Sequence, residues 1–296
     1  MTAATIELAG GPVSWGVDFA DAPDNPPYTE VLAGIRAAGL RWTELGPPGY
    51  LPADASNVLA ARGLGSVGTF VFERLHEPTA HDTALVAADR ALAAAGEAGG
   101  SVLVVIDRPG DVRAGTAGRS AAAERLDGTG WRALVRVTRA IASRAGERGV
   151  RAVFHPHAGS YVEFADEVDR LLDSVPPDEL GLCVDTGHAL FAGEDPAATL
   201  GRYGDRVGHV HLKDVDAAVR ERVVAERIGF WSAIALGIFC PVGDGMLDLD
   251  GLRRALGAAG YAGFATIEQD RRPGSPGFAE HDLRVSAQRL RAAGIG

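Results

Sequence analysis

The sequence predicts an α/β chain folded as a single (β/α)8 TIM barrel, and three observations carry that reading. Short apolar runs alternate with longer segments of helical period, eight such runs can be counted, and polar residues stand at their C-terminal ends. The length of 296 residues suits eight βα units in one domain spanning 1–296.

In chain order the expected strands are Gly11–Gly16, Trp42–Gly46, Ser66–Val71, Ser101–Ile106, Arg151–His157, Gly181–His188, Val207–Asp214 and Phe264–Asp270. Between them, Tyr28–Ala38, Thr83–Ala98, Trp131–Arg148 and Leu249–Ala259 place apolar residues at three- and four-residue steps, the period of a helix with one buried face. Gly39, Gly149 and Gly260 follow three of these segments where a helix would stop and a strand begin. An open doubly wound sheet rarely uses eight such units, and no GxGxxG turn follows the first strand, so the closed barrel is preferred. Two connections exceed the usual short loops: 108–130, rich in Gly, Arg and Ala, reads as a mobile loop with one short helix, and 215–246 follows the seventh strand. Both leave strand C-termini, the end at which a barrel builds its active site, and so are expected at that face as lids.

Hydrophobic residues make up 46% of the chain and charged ones 23%, enough for a packed core and unlike disorder. A net charge of -10 disfavours nucleic acid and anionic membranes as partners, because both reward clustered Lys and Arg. No run reaches the roughly 18 apolar residues of a membrane span, and MTAATIELAGG lacks the features of a signal peptide, so a cytoplasmic protein is expected. Cys183 and Cys240 have no metal-type spacing and read as buried or half-buried thiols.

The strand-end residues are Glu44, His155, His157, Asp185, His188, His211, Lys213, Glu268 and Asp270. In a barrel they converge on one mouth, and clustered carboxylates and imidazoles are costly to desolvate without a cation. The mixed N/O set suits Mn, Mg, Co, Fe or Zn. His209 lies two residues before His211, on the same inward face and one layer deeper, and is read as a structural hydrogen-bonding residue. His76, His81 and His281 fall in loop or helix contexts and are expected to be solvated.

The motifs SWG, TELG, HPHAGSYVE, CVDTGHA, HVHLKDV, the connection ending GIFCPVGDGMLDL, and TIEQD cover nearly the whole chain. Together they resemble the xylose-isomerase-like barrel superfamily of sugar isomerases and epimerases, and within it the inosose dehydratase branch. The resemblance implies one divalent cation, most often Mn, with Asp185, His211 and Glu268 as ligands. It also implies a carboxylate on the fifth strand, where this chain has His155; the fourth ligand is left open between His155, Glu163 and water. His188, in VDTGH, corresponds to a substrate-contacting histidine.

The expected activity is a metal-dependent lyase of carbohydrate or inositol metabolism. A small polyhydroxylated ketone, such as a ketoinositol, would lose an α proton and then a β-hydroxyl. Lys213, His157 and Glu44 are the acid/base candidates. Lys213 would need a depressed pKa to act as a base, or would instead pair with Asp214 or Asp270. Trp15 is expected as an apolar wall for the substrate or as a core residue. The alternatives are a keto-sugar isomerase or epimerase, which returns the proton, and a non-catalytic sugar-binding barrel. Apolar Phe230, Trp231, Ile238 and Phe239 in the 215–246 segment point to a lid or a homo-oligomer contact.

Overall fold

The computed structural model describes residues 5–272 and 278–296. Its strands are β1 (Ile6–Gly10), β2 (Trp42–Glu44), β3 (Gly65–Glu73), β4 (Val102–Asp107), β5 (Arg151–Phe154), β6 (Gly181–Asp185), β7 (Val207–Leu212), β8 (Asp214–Val215), β9 (Phe239–Cys240) and β10 (Gly263–Ile267). Eight of them close a parallel barrel in the order β1-β10-β7-β6-β5-β4-β3-β2, while β8 and β9 form a separate antiparallel pair. Inward side chains such as Ala9, Val67, Val104, Val153 and Cys183 fill the lumen, and a larger apolar layer packs the barrel wall against its helices.

The helices run Tyr28–Ala37, His81–Ala98, Gly128–Glu147 and Leu249–Ala258 in the four segments read as helical. Gly39, Gly149 and Gly260 follow with φ of 79°, 70° and 61°, the left-handed conformation that ends a helix without a Cβ penalty. Among the described residues no helix is long and apolar enough to cross a membrane. Cys183 is buried and Cys240 half-buried, both as free thiols.

All eight strands differ in their bounds from those expected, the fifth ending at Phe154 and not His157, and at three of them the physical cause bears on the site. The first is Ile6–Gly10, and Gly11–Gly16 contains instead a short 3-10 turn over Pro12–Trp15, because Pro12 has a fixed φ and no N–H for a ladder. The sixth ends at Asp185, whose carboxylate accepts from the His188 backbone N–H at 2.9 Å and so starts the helix Thr186–Ala192. The seventh breaks at Lys213, after which Asp214–Val215 turns to pair with Phe239–Cys240.

That turn pins the 215–246 segment to the barrel. The buried Asp214 carboxylate accepts four backbone N–H groups, from Val215 at 2.8 Å, Gly243 at 2.8 Å, Gly245 at 3.1 Å and Leu247 at 2.9 Å. Asp214→Ala leaves those donors without their acceptor and is expected to cost about 3 kcal/mol or more, since each orphaned buried donor costs roughly 1–3 kcal/mol. A urea titration measures this, and a change below about 1 kcal/mol would remove Asp214 as the organiser of the loop. Phe230, Ile238 and Phe239 are buried within the chain, so of the segment's four marked apolar residues only Trp231, 47% exposed, is open to a partner. The 108–130 segment is likewise anchored rather than free. Its short helix Asp111–Ala114 carries the fully buried Arg113, which donates to both Glu167 carboxylate oxygens at 2.9 and 3.0 Å.

Candidate metal centre and active site

The polar side chains converge on the C-terminal mouth from four consecutive strands of the barrel. His155 and His157 follow β5, Asp185 ends β6, His211 and Lys213 come from β7 and its exit, and Glu268 and Asp270 follow β10. Asp185 stands opposite His211 in the parallel register, and Thr266 of β10 stands opposite His211 on its other side. Lys213 is held by its backbone: Thr186 donates its hydroxyl to the Lys213 carbonyl at 2.6 Å and accepts the Lys213 N–H at 2.8 Å. Gly187 makes this approach feasible, because a Cβ there would lie 2.4 Å from the Lys213 Cβ.

Hydrogen-bond bookkeeping shows what the cluster needs. His155 donates its Nδ1 proton to the Pro156 carbonyl at 2.7 Å, so its Nε2 is a bare lone pair, 3.2 Å from Asp185 Oδ2. His211 donates from Nε2 to Glu44 at 2.9 Å, and its Nδ1 lies 3.2 Å from Glu268 Oε2 and 3.6 Å from Asp185 Oδ2; burial lowers its pKa, but the surrounding negative groups outweigh it and hold the ring well above the ordinary histidine value, so a metal there would displace a proton from Nδ1. Asp185 spends Oδ1 on the helix cap, while its Oδ2 and His211 Nδ1 are buried without a hydrogen-bond partner. Ligand atoms of His155, Asp185 and His211 lie within 4.8 Å of one another. Buried carboxylates crowded against ring nitrogens require positive charge, which the Lys213 ammonium supplies in part and a divalent cation among the donors would complete. The donor set of His155, Asp185 and His211 therefore fits a divalent metal, and Glu268 lies beside it, its Oε2 3.2 Å from His211 Nδ1.

Lys213 is the neighbouring positive charge. Its Nζ lies 2.6 Å from Asp270, and 3.2 Å from both Asp185 and Glu268. Burial by itself lowers the lysine pKa, but Asp185, Asp270 and Glu268 outweigh it and hold the ammonium well above its ordinary value. Of the two expected ion pairs the Asp270 one forms.

Three further expectations change. Glu44 is buried beneath the mouth, where one oxygen accepts from both His209 and His211 at 2.9 Å, so it orients the His211 ring and does not line the cavity. His209 also meets Thr266 at 3.2 Å, the structural role its depth implied. His188 accepts the Ala158 N–H on Nδ1 at 3.1 Å and turns Nε2 to Asp270 at 3.4 Å. It packs behind His157, with ring centroids 4.0 Å apart, and is not among the cavity-lining residues. Trp15 is a core residue: a Cβ on Gly34 would lie 2.6 Å from its indole, so the ring rests on the helix Tyr28–Ala37.

His157 gains a definite state. Nδ1 donates to the Ala158 carbonyl at 3.0 Å, leaving Nε2 bare beside the cavity. Burial, with His188 and His155 nearby, keeps its pKa well below the ordinary histidine value. Asp18 also lines this cavity, its pKa pushed up to about 7 by burial and by Asp270. The sequence reading passed over it because it follows a 3-10 turn and not an apolar strand. His76 was expected in water; its ring instead meets the buried Asp107 at 2.7 Å, while His81 bonds the Leu75 carbonyl at 3.0 Å and His281 is exposed.

A sequence profile of the xylose isomerase-like TIM barrel family matches residues 17–293. The chain belongs to this family. The "Rhizopine catabolism protein MocC" of Rhizobium meliloti is 33% identical over 275 residues, covering 91% of this chain and 83% of that protein. An "Inosose dehydratase" of Geobacillus thermodenitrificans is 35% identical over 155 residues, and the match spans 52% of each chain, about half the length of that relative. Among solved structures, the IOLI protein with a binding zinc atom superposes with a TM-score of 0.71 at 14% identity, over 97% of this chain and 98% of that one, a likeness of fold.

Within this xylose isomerase-like barrel Glu163, one of the candidates for the fourth donor, is engaged elsewhere. Its carboxylate accepts from the Gly118 N–H at 2.6 Å and the Gly159 N–H at 2.9 Å and lies 3.4 Å from Arg113, so it is committed to anchoring the 108–130 segment. His155→Ala is expected to weaken metal binding at least tenfold, while Glu163→Gln leaves it within about twofold. Calorimetric titration of each metal-stripped variant separates the two, and the opposite pattern would move the ligand to Glu163.

Proposed function

We propose that this protein is a metal-dependent lyase that dehydrates a ketoinositol or a closely related cyclic polyhydroxy ketone. The observation that carries the reading is the meeting, at one barrel mouth, of clustered metal donors with a neutral base and a lysine cation. The names of the inosose dehydratase relatives support the substrate class. A divalent cation held by His155, Asp185, His211 and Glu268 supplies Lewis acidity, polarising the ketone and acidifying the adjacent C–H. Two imidazoles in the set favour Mn, Co, Fe or Zn over Mg, in keeping with the zinc atom of the IOLI protein.

His157 takes the α proton on its bare Nε2, since its pKa keeps it unprotonated at neutral pH. Lys213 enters as an ammonium, stabilises the negative charge that develops on the substrate and gives one proton to the departing β-hydroxyl, which leaves as water; the proton taken by His157 then passes by way of solvent to the lysine amine and restores both groups. The resulting enol tautomerises to a diketone, so one water is lost and no redox partner is needed. Glu44 keeps the His211 ring in place, and Asp270 keeps Lys213 in place.

The test is incubation of metal-loaded protein with a panel of ketoinositols and ketoses, reading diketone absorbance alongside NMR. Diketone formation from a ketoinositol, with none in the His157→Gln variant, is expected. Exchange of the α proton or epimerisation of a ketose without loss of water would replace the lyase reading with an isomerase.

A further inference from the structure

Two residues in the left-handed backbone region bracket the helix Phe230–Ala235, which roofs the cavity with Phe230, Trp231 and Ile234. Gly237 follows the helix with φ of 79°, a conformation that carries no penalty for glycine. Arg227 precedes it with φ of 55°, and among the described residues no other non-glycine residue has a positive φ. A residue with a Cβ adopts this conformation at a cost, so contacts outside the turn must hold it there.

The chain on either side is fixed. Before Arg227, the helix Ala217–Ala225 buries Val223 and donates from Arg220 Nε to the Leu190 carbonyl at 2.7 Å. After Gly237, the Ile238 carbonyl accepts the Asp216 N–H at 2.9 Å, and Phe239–Cys240 pairs with Asp214–Val215. The helix between these supports is tied far more loosely. Phe230 is buried edge-on to His157 at 5.1 Å, while the neighbouring Trp231 is half exposed. Among the described residues, one hydrogen bond joins 227–237 to the chain outside the 215–246 segment: Arg119 Nη1 donates to the Ile228 carbonyl at 3.1 Å.

Arg119 is itself braced. Its Nη2 donates to the Gly115 carbonyl, and the preceding Gly118 gives its N–H to the buried Glu163 at 2.6 Å. Gly229 lets the two segments touch, since a Cβ there would lie 3.1 Å from the Ala114 carbonyl oxygen. A short helix with weak external ties, between a strained turn and a glycine turn, has the features of an element that opens locally. Directly beneath it lies the bare Nε2 of His157.

We propose that the helix Phe230–Ala235 is a gate over the barrel mouth, swinging on Arg227 and Gly237, and that Arg119 is the positioning residue that latches it shut. This goes beyond the lyase reading and holds equally if the reaction beneath is an isomerisation.

The test needs neither metal nor substrate. Carbethoxylation of His157 by diethyl pyrocarbonate and amide hydrogen exchange over 228–238 are both followed by mass spectrometry on the full chain. Because a hydrogen bond from a charged donor is worth about tenfold or more, Arg119→Met should raise both rates at least about tenfold, with exchange in the helix His81–Ala98 held within about twofold. Gly229→Ala, which pushes the helix away from Ala114, should act in the same direction, and Arg119→Lys, which keeps a charged donor, should lie between Arg119→Met and the native chain. Unchanged His157 reactivity in both Arg119→Met and Gly229→Ala would overturn the gate. Faster exchange spread equally into His81–Ala98 would overturn it too, by showing Arg119 to be a general support of the fold. A rise in Gly229→Ala alone would remove Arg119 as the latch.

Discussion

Asp185→Asn protein, purified without chelator, is expected to carry almost no metal where the native chain carries close to one ion. Asp185 has two separate tasks: Oδ1 caps the helix Thr186–Ala192, and Oδ2 faces His155 and His211 with no hydrogen-bond partner of its own. An asparagine can keep the cap through its oxygen, but it then turns an N–H2 group toward two imidazole nitrogens. The charge that balances the cation is lost together with the coordinating atom. The drop in affinity should exceed the roughly 10–100-fold that loss of an outer partner costs, and turnover should fall with it. Elemental analysis reads the result directly. Full metal content in a folded Asp185→Asn protein would remove this centre as drawn.

Lys213→Met should separate the metal-free and metal-loaded states of the protein. Without a cation, the Lys213 ammonium is the positive charge shared among Asp185, Glu268 and Asp270, all within 3.2 Å of Nζ. Removing one partner of a buried ion pair typically costs about 3–5 kcal/mol, because the remaining charge is left uncompensated. In EDTA the variant should therefore melt well below the native protein. A divalent ion restores neutrality at Asp185 and Glu268, so the rise in Tm on adding metal should be larger in the variant than in the native chain. Dehydration should slow by about 10²–10⁴, the usual worth of a positioned proton donor. An unchanged Tm in EDTA would show that the lysine is not the counter-charge, and unchanged turnover would take it out of the chemistry.

Much of this architecture is legible in the sequence, for identifiable reasons. Five of the eight strand regions announce themselves because an apolar run ends in a charged or imidazole residue, as a buried strand emerging at a mouth does, and the third and fourth do so as plain apolar runs. The first strand is different: Ile6–Gly10 is short and built from small residues, so the more distinctive GPVSWG beside it drew the assignment, although Pro12 argues against a ladder there. Element type was clear, but element ends were not. Asp185 reads equally well as the last residue of a strand or as a helix cap, and it is both.

The site residues divide in the same way. Which side chains gather at the mouth follows from strand order, but what each does depends on its hydrogen-bond partner, which comes from another strand. The acid/base expectation for Glu44 rests on its ending a strand, whereas its carboxylate bonds His209 and His211, more than 160 residues away. Lys213 looks like a base until Asp185, Glu268 and Asp270 are placed around it. The tautomers of His155 and His157 are set by the carbonyls of their immediate neighbours Pro156 and Ala158, a local contact that spacing alone does not reveal. Asp18 carries no strand signal at all and emerges only from the cavity it lines.

The central claim is that two imidazoles and two carboxylates of this mouth hold one divalent ion. X-ray absorption at the metal edge of the zinc-loaded protein tests it most directly, because coordinated imidazole gives a multiple-scattering signature that can be counted. One zinc per chain is expected with two imidazole nitrogens, near 2.0–2.1 Å, the ordinary zinc–histidine distance, and oxygen in the remaining positions, falling to one imidazole in His155→Ala. A zinc environment without imidazole, or one that His155→Ala leaves unchanged, would contradict it.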